Sequence, residues 1–276
     1  MEQVLKTMLE NMRAKSPLVH NITNYVTVND VANVLLAAGG SPIMSDDADD
    51  VEDITSICGG LNINIGTLNK NTIPSMFLAG KKANELGHIV LLDPVGAGAS
   101  RLRTDTANRL MQEVRFDAVR GNISEIKTLC TGSGSTKGVD ADAVDAVTEA
   151  NLDDGVQLVK AFAQKTGCIV AVTGAIDLVS DGERCWCIRN GRAEMSRITG
   201  TGCQLSALMT AFLVANPDRK LDAAAAAVCM MGLAGEIGWA NMQPGDGNST
   251  YRNRIIDAIF NMTGDALEEG AKYELR

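Results

Sequence analysis

His88-Ile-Val-Leu-Leu-Asp93-Pro94-Val-Gly-Ala-Gly98 decides the fold of this chain. An unbroken apolar run closed by Asp-Pro and two glycines reads as a strand buried on both faces, followed by a turn. The same unit repeats outward in both directions. Upstream, residues 73–86 carry helical periodicity and stop at Gly87, and before them Leu61-Asn-Ile-Asn-Ile65 alternates as a strand and ends at Gly66-Thr67. Earlier still, residues 28–38 and 50–57 read as helices closed by Gly39-Gly40 and Gly59-Gly60, with Ser41-Pro-Ile-Met44 as a short extended piece between them. Downstream, residues 104–114 read as a helix and Ala118-Val119-Arg120 as a short strand. This alternation predicts an α/β fold: a mostly parallel central sheet with helices on both faces.

The pattern changes after residue 167. Cys168-Ile-Val-Ala-Val-Thr173 reads as one strand, and Asp181-Gly182 reads as a hairpin turn between residues 177–180 and 184–188. The remainder is helical, over 205–215, 221–241 and 250–269. Residues 131–154 are Gly/Ser-rich, then acidic and Ala-rich, and read as a variable insertion forming a lid or short helices. No internal repeat or linker interrupts residues 1–276, so a single domain is expected.

Composition narrows the function. With 45% hydrophobic and 21% charged residues the chain reads as a globular enzyme. A net charge of −9 argues against nucleic acid and anionic membranes as partners. The seven cysteines are odd in number and the polar N-terminus Met-Glu-Gln-Val-Leu-Lys lacks a signal-peptide pattern, which fits free thiols in a reducing cytoplasm. Only two histidines are present, so a Cys/His metal cluster is not expected, and Cys185-Trp-Cys187 places both thiols on one face of a strand. Residues 221–239 come nearest to a membrane span, but Asp222, Glu236 and many alanines mark a core helix.

Strand ends followed by Gly or polar residues recur at Asn64-Ile-Gly66, Asp93-Pro94, Arg120-Gly-Asn122 and Thr173-Gly174. In an open parallel sheet, ligands bind at the carboxyl ends of strands. Gly96-Ala-Gly98-Ala-Ser100 lacks the third glycine of a dinucleotide fingerprint. Asp93 is read as a carboxylate near a metal ion or a substrate hydroxyl; the plain alternative is a turn residue capping Gly96. Asn122-Ile-Ser-Glu125 has the spacing of a capping box, and equally places Glu125 where a carboxylate holds Mg²⁺ or its water shell beside ATP phosphates. Arg120 is the only charge in its strand and is placed to meet a phosphate. Last comes Ile198-Thr-Gly-Thr-Gly-Cys203-Gln-Leu-Ser-Ala207, a glycine turn feeding an apolar helix. Gly200 and Gly202 permit close backbone approach, and Cys203 is expected in the first helical turn, where the dipole favours anions and lowers a thiol's pKa.

Together these residues carry a resemblance. Asn-x-x-Glu after a strand, with a glycine turn opening a late helix, is similar to the ribokinase-like superfamily of small-molecule kinases, most of which place Asp as general base where this chain has Cys203. Thr-Gly-Thr-Gly-Cys203, His20-Asn-Ile-Thr-Asn24, Ser41-Pro-Ile-Met44, Leu61-Asn-Ile-Asn-Ile-Gly66, Asp93-Pro-Val-Gly-Ala-Gly98 and Arg120-Gly-Asn-Ile-Ser-Glu125 resemble the hydroxyethylthiazole kinases of thiamine salvage. The resemblance implies a ribokinase-like three-layer fold, a homotrimer with sites near subunit interfaces, and phosphorylation of 4-methyl-5-(2-hydroxyethyl)thiazole by ATP with Mg²⁺. It implies that Met44 and Gly200 contact the thiazole alcohol, with Asn24 lining the same pocket. Arg120 and Thr173 then contact ATP, Glu125 and Asp93 hold the metal ion, and Cys203, as thiolate, takes the catalytic position. The chain departs from the family at Gly39-Gly40, where Gly-Ala is usual, and in the length of residues 131–154. Three other readings are weighed: a hydroxymethylpyrimidine or pyridoxal kinase, a thiol-nucleophile enzyme using Cys203 covalently, and a ligand-binding module without catalysis.

Overall fold

The computed structural model describes residues 3–132 and 146–276. The strands are β1 (Leu18–Ile22), β2 (Ser41–Met44), β3 (Gly60–Asn64), β4 (Ile89–Asp93), β5 (Ala118–Asn122), β6 (Ile169–Thr173), β7 (Asp177–Ser180), β8 (Cys185–Ile188) and β9 (Tyr273–Leu275). They form one nine-stranded sheet in the order β2-β1-β3-β4-β5-β6-β7-β8-β9. Pairings from β2 through β6 are parallel, and β7, β8 and β9 join antiparallel. The mostly parallel sheet expected from the sequence is present.

Helices cover both faces. On one side lie α1 (Val4–Lys15), α2 (Val28–Ala38), α8 (Thr201–Ala215), α9 (Lys220–Ala240), α10 (Asn248–Asn261) and α11 (Gly264–Gly270). On the other are α3 (Val51–Ile57), α4 (Thr72–Leu86), α5 (Arg101–Glu113), α6 (Ile123–Thr131) and α7 (Leu152–Thr166). The strand that opened the sequence argument shows why it is apolar throughout. Ile89 and Leu91 of β4 enter the first layer's core, while Val90 and Leu92 enter the second. A strand with cores on both faces has no side that calls for polar residues.

Several boundaries differ from expectation for local reasons. Helix α8 begins at Thr201 rather than 205, because Gly200 already turns the chain at φ +86. The expected helix over 250–269 breaks at Met262-Thr263, where the Thr263 hydroxyl accepts the Ala266 N–H at 3.1 Å and starts α11. Of the expected insertion, residues 133–145 lie outside the described residues. Its C-terminal flank is a 3-10 turn, Glu149–Asn151, leading into α7. Cys185 and Cys187 are buried free thiols on one face of β8. Helix α9 is long and apolar enough to pass a membrane-span test by composition, and 78% of its apolar window is buried inside the fold.

Candidate active site

The carboxyl ends of the central strands lie side by side: Asn64 is in register with Asp93, and Asn122 with Thr173. Above them sits the start of α8. Polar side chains make a continuous buried seam beneath it. Asn24 donates to Asn64 Oδ1 at 3.2 Å and to Cys203 Sγ at 3.1 Å. Asn64 in turn donates to Asp93 Oδ2 at 2.8 Å, as does the Ser206 hydroxyl at 2.8 Å. Asp93 is fully buried, and burial pushes its carboxyl up in pKa against the opposing pull of Arg120, Ser206 and Asn64. All of these partners meet Oδ2; Oδ1 is buried without a hydrogen-bond partner.

Helix α6 starts with the capping box read from the sequence. Asn122 Oδ1 accepts the Glu125 N–H at 2.9 Å, and Glu125 Oε2 accepts the Asn122 N–H at 2.7 Å. The other carboxylate oxygen accepts the Gly96 N–H at 2.7 Å. The turn after β4 is therefore held by Glu125 rather than capped by Asp93. Burial first, and the neighbouring Asp93 second, push the Glu125 carboxyl up to about 7. The two backbone N–H groups and Arg120 oppose that shift.

The start of α8 is built differently. Gly200 occupies the left-handed region at φ +86, and no side chain caps the helix. A Cβ at Gly200 would lie 2.2 Å from Thr27 Cγ2, and one at Gly202 would lie 2.5 Å from the Arg120 guanidinium. Glycine is required at Gly200 by its φ and by Thr27, while a side chain at Gly202 would displace the Arg120 guanidinium. Arg120 donates to Thr173 Oγ1 at 2.5 Å and stands 3.6 Å from Asp93 Oδ2. Its Nε is buried without a partner.

Cys203 falls in the first turn of α8, as expected, but its electrostatics differ from expectation. Burial raises its pKa and the Asp93 charge adds to the rise, while Arg120 and the Asn64 and Asn24 amides act the other way. The shift runs toward the protonated thiol, opposite in direction to the lowering expected at a helix start.

Two cavities adjoin at this helix end. One of about 480 Å³ is lined by Asn24, Thr27, Glu125, Gly200 and Cys203. The other, of about 630 Å³, is lined by Thr173, Gly174, Asp177, Gly191, Arg192 and Met195, among others. Arg120, Asn122, Ser196, Thr201 and Gly202 border both and form the wall between them. The structure thus brings together Cys203, Gly200, Arg120, Thr173, Glu125 and Asp93. Met44 is apart: it ends the edge strand β2 opposite Asn21, packs on the core and lines neither cavity. Sequence reasoning missed Ser206 and Asn64 as partners of Asp93, although Leu61-Asn-Ile-Asn-Ile65 displayed the alternation that aims Asn64 to one face. Among the described residues no three His, Cys, Asp or Glu side chains converge as a metal-binding group.

The Hydroxyethylthiazole kinase family matches residues 9–265. The hydroxyethylthiazole kinase of Clostridium acetobutylicum is 57% identical over 271 residues, covering 98% of this chain and 99% of that one. Among solved structures, the hydroxyethylthiazole kinase protein of Pyrococcus horikoshii OT3 has a TM-score of 0.88 at 32% identity, over 100% of both chains. A ribokinase-like superfamily protein from Enterococcus faecalis shares the architecture alone, at a TM-score of 0.62 and 11% identity over 94% of each chain. The family match spans every strand that ends at the two cavities and both helices that start there, so the shared sequence includes the site as well as the scaffold. This chain belongs to the hydroxyethylthiazole kinase family and has the ribokinase-like three-layer fold.

Proposed function

We propose that the protein transfers the γ-phosphoryl group of ATP to the hydroxyl of 4-methyl-5-(2-hydroxyethyl)thiazole, a step of thiamine biosynthesis and salvage. The observation that carries this reading is the pair of cavities sharing one wall at an uncapped helix start. Two substrates seated on either side of that wall meet where Arg120 and the α8 N–H groups converge. The larger cavity takes ATP, with Arg120 and Thr173 as its contacts. The smaller takes the thiazole alcohol, with Gly200 and Asn24 in its lining.

Phosphoryl transfer passes through a loose transition state, so positioning and charge neutralisation matter more than a strong base. Arg120 stands between the cavities as a fixed cation, braced by Thr173 and Asp93. The free N–H groups of the first α8 turn stabilise phosphoryl oxygens without reorganising. Cys203, held by Asn24, orients the acceptor hydroxyl at Sγ. No strong base is needed, because a loose transition state breaks little of the O–H bond and the proton can pass afterwards to a transferred phosphoryl oxygen or to water.

The residues fit a hydrated Mg²⁺. Asp93 Oδ1 is a buried acceptor with no partner, and this ion commonly takes one or two carboxylates and keeps its waters. Glu125, which lines the smaller cavity, would hold it through its water shell, with Asp93 in the buried seam behind. When bound, Mg²⁺ would supply positive charge that neutralises the phosphates.

We read residues 1–276 as one domain, since one sheet joins all nine strands. Seven free thiols fit a cytoplasmic location. Exposed Tyr25 and Val26 stand beside the smaller cavity, and Met44 lies on an edge strand; both features support a homotrimer in which a neighbouring copy completes the acceptor pocket. Sedimentation showing a fully active monomer at micromolar concentration would refute that assembly. The central test is ATP consumption with the thiazole alcohol, with and without Mg²⁺. Equal rates on hydroxymethylpyrimidine or pyridoxal would overturn the acceptor assignment.

A further inference from the structure

We infer that Glu236, which touches neither reactant cavity, is a positioning residue that fixes the wall of the larger cavity by gripping the loop after β8. The inference rests on reading that cavity as the nucleotide side of the site. Gly191, Arg192, Ala193, Met195 and Ser196 of this loop line the cavity. Residues 189–192 have no helical or strand structure, and the 3-10 turn Ala193–Arg197 that follows bonds within itself, so the loop's own secondary structure does not tie it to the body of the fold. The hold comes from α9 and the C-terminal segment.

Glu236 Oε1 accepts the Gly191 N–H at 2.9 Å and the Asn190 side-chain amide at 3.2 Å. Its other oxygen accepts Lys272 Nζ at 2.6 Å. Asn190, only 6% exposed, completes the knot: its Nδ2 donates to the Gly270 carbonyl at 3.0 Å, and its Oδ1 accepts the Lys272 N–H at 2.8 Å. The helix surface beneath is shaped to receive the loop. A Cβ at Gly232 would lie 2.7 Å from Asn190 Cβ and 2.8 Å from its backbone carbonyl carbon. A Cβ at Gly235 would lie 2.2 Å from Met195 Sδ. Farther along, the Arg192 guanidinium lies over the Trp239 ring at 5.3 Å, keeping the loop against α9. One carboxylate thus joins the nucleotide wall, α9 and the chain's last segment.

The test is steady-state kinetics at saturating thiazole alcohol, paired with calorimetric titration of ATP. Glu236→Ala should raise the KM and Kd for ATP about tenfold, with kcat and the KM for the alcohol within about twofold. Glu236→Gln should recover most of the loss, because its amide oxygen can still accept the Gly191 N–H. Glu236→Asp keeps the charge but draws the carboxylate back from the Gly191 N–H, and should weaken ATP in the same selective way. A purely structural role predicts an even loss across both substrates for both variants. Unchanged ATP affinity in folded Glu236→Ala, or in Glu236→Asp should the former not fold, overturns the inference. If the wild-type protein binds ATP but does not phosphorylate the alcohol, the acceptor assignment fails while calorimetry still decides the role of Glu236. If it binds no ATP, both fall.

Discussion

Helices α6 and α8 begin within reach of the same arginine, yet their first turns are finished in opposite ways. At α6 the donors are taken up internally: Asn122 and Glu125 exchange hydrogen bonds with each other's backbone, and Glu125 also accepts the Gly96 N–H. At α8 the preceding residue is a left-handed glycine and no side chain caps the turn. Every helix start leaves several N–H groups without intrahelical partners. A protein can satisfy them itself, which makes scaffold, or leave them facing a cavity, which makes a site. Changes at the open start should therefore appear in turnover, and changes at the closed start, whose Asn122 and Glu125 also face the cavities, should appear in stability as well.

The sharpest way to break this contrast is at Cys203. Cys203→Ala should cost about 10²-fold or more in kcat with both substrates still bound, the usual size of an acid–base or orienting contribution. Cys203→Asp should retain substantial activity, since an aspartate there offers a well-placed acceptor. A folded but inactive Cys203→Asp enzyme would favour a covalent role for the sulfur. Next in size is Arg120→Ala, which should raise the KM for ATP at least about tenfold and leave the alcohol's KM nearly unchanged. An unaltered ATP dependence would remove Arg120 from the phosphate site. At the closed start, Asn122→Ala should lower unfolding free energy by about 0.5–2 kcal/mol, measured by denaturant titration. Because Asn122 also borders both cavities, it is an unchanged stability that would erase the distinction between the two helix starts.

The smallest effect concerns a group at neither start. His20 of β1 is buried, with Nδ1 2.9 Å from Thr55 Oγ1 and Nε2 2.9 Å from the Ser45 carbonyl oxygen. Burial lowers its pKa from the ordinary 6.5, with the Ser45 carbonyl and Asp50 opposing. The folded state therefore favours the neutral ring. Its stabilising contribution is present above pH 6.5 and is lost as pH falls below that through the folded value. His20→Gln should flatten the stability-versus-pH curve in that acid limb, read from denaturation midpoints.

The sequence made the helix-start difference visible only in part. Paired glycines before an apolar run announced the open start of α8, because few other residues permit that turn and approach. The Asn-x-x-Glu spacing at α6 was legible too, but spacing alone cannot say whether a carboxylate caps, binds or does both. The alternating strands were readable wherever both faces are apolar, as in β4. Strand β1 was not: its His20 and Asn21 are polar and buried, so their pattern imitates a loop. The alternation in β3 announced a strand, but its Asn face lies under α8 rather than in water, with Asn62 donating to Asn21 Oδ1 at 3.1 Å and Asn64 donating to Asp93. Strand β9 is three residues on a sheet edge, too short for a periodicity. The Glu236 knot joins positions far apart in the chain and leaves no local signature.

The burial of Cys203 and its shift toward the protonated form bear on chemical durability. Peroxides and alkylating agents attack the thiolate, and their rates follow the fraction deprotonated and the access to solvent. Cys203 is 8% exposed and shifted toward the protonated form, so it offers little of either. Sulfur can then stand at the start of α8 without being a redox liability. Burial and the neighbouring Asp93, against the pull of Arg120 and the two amides, guard the sulfur from becoming a sulfenic acid.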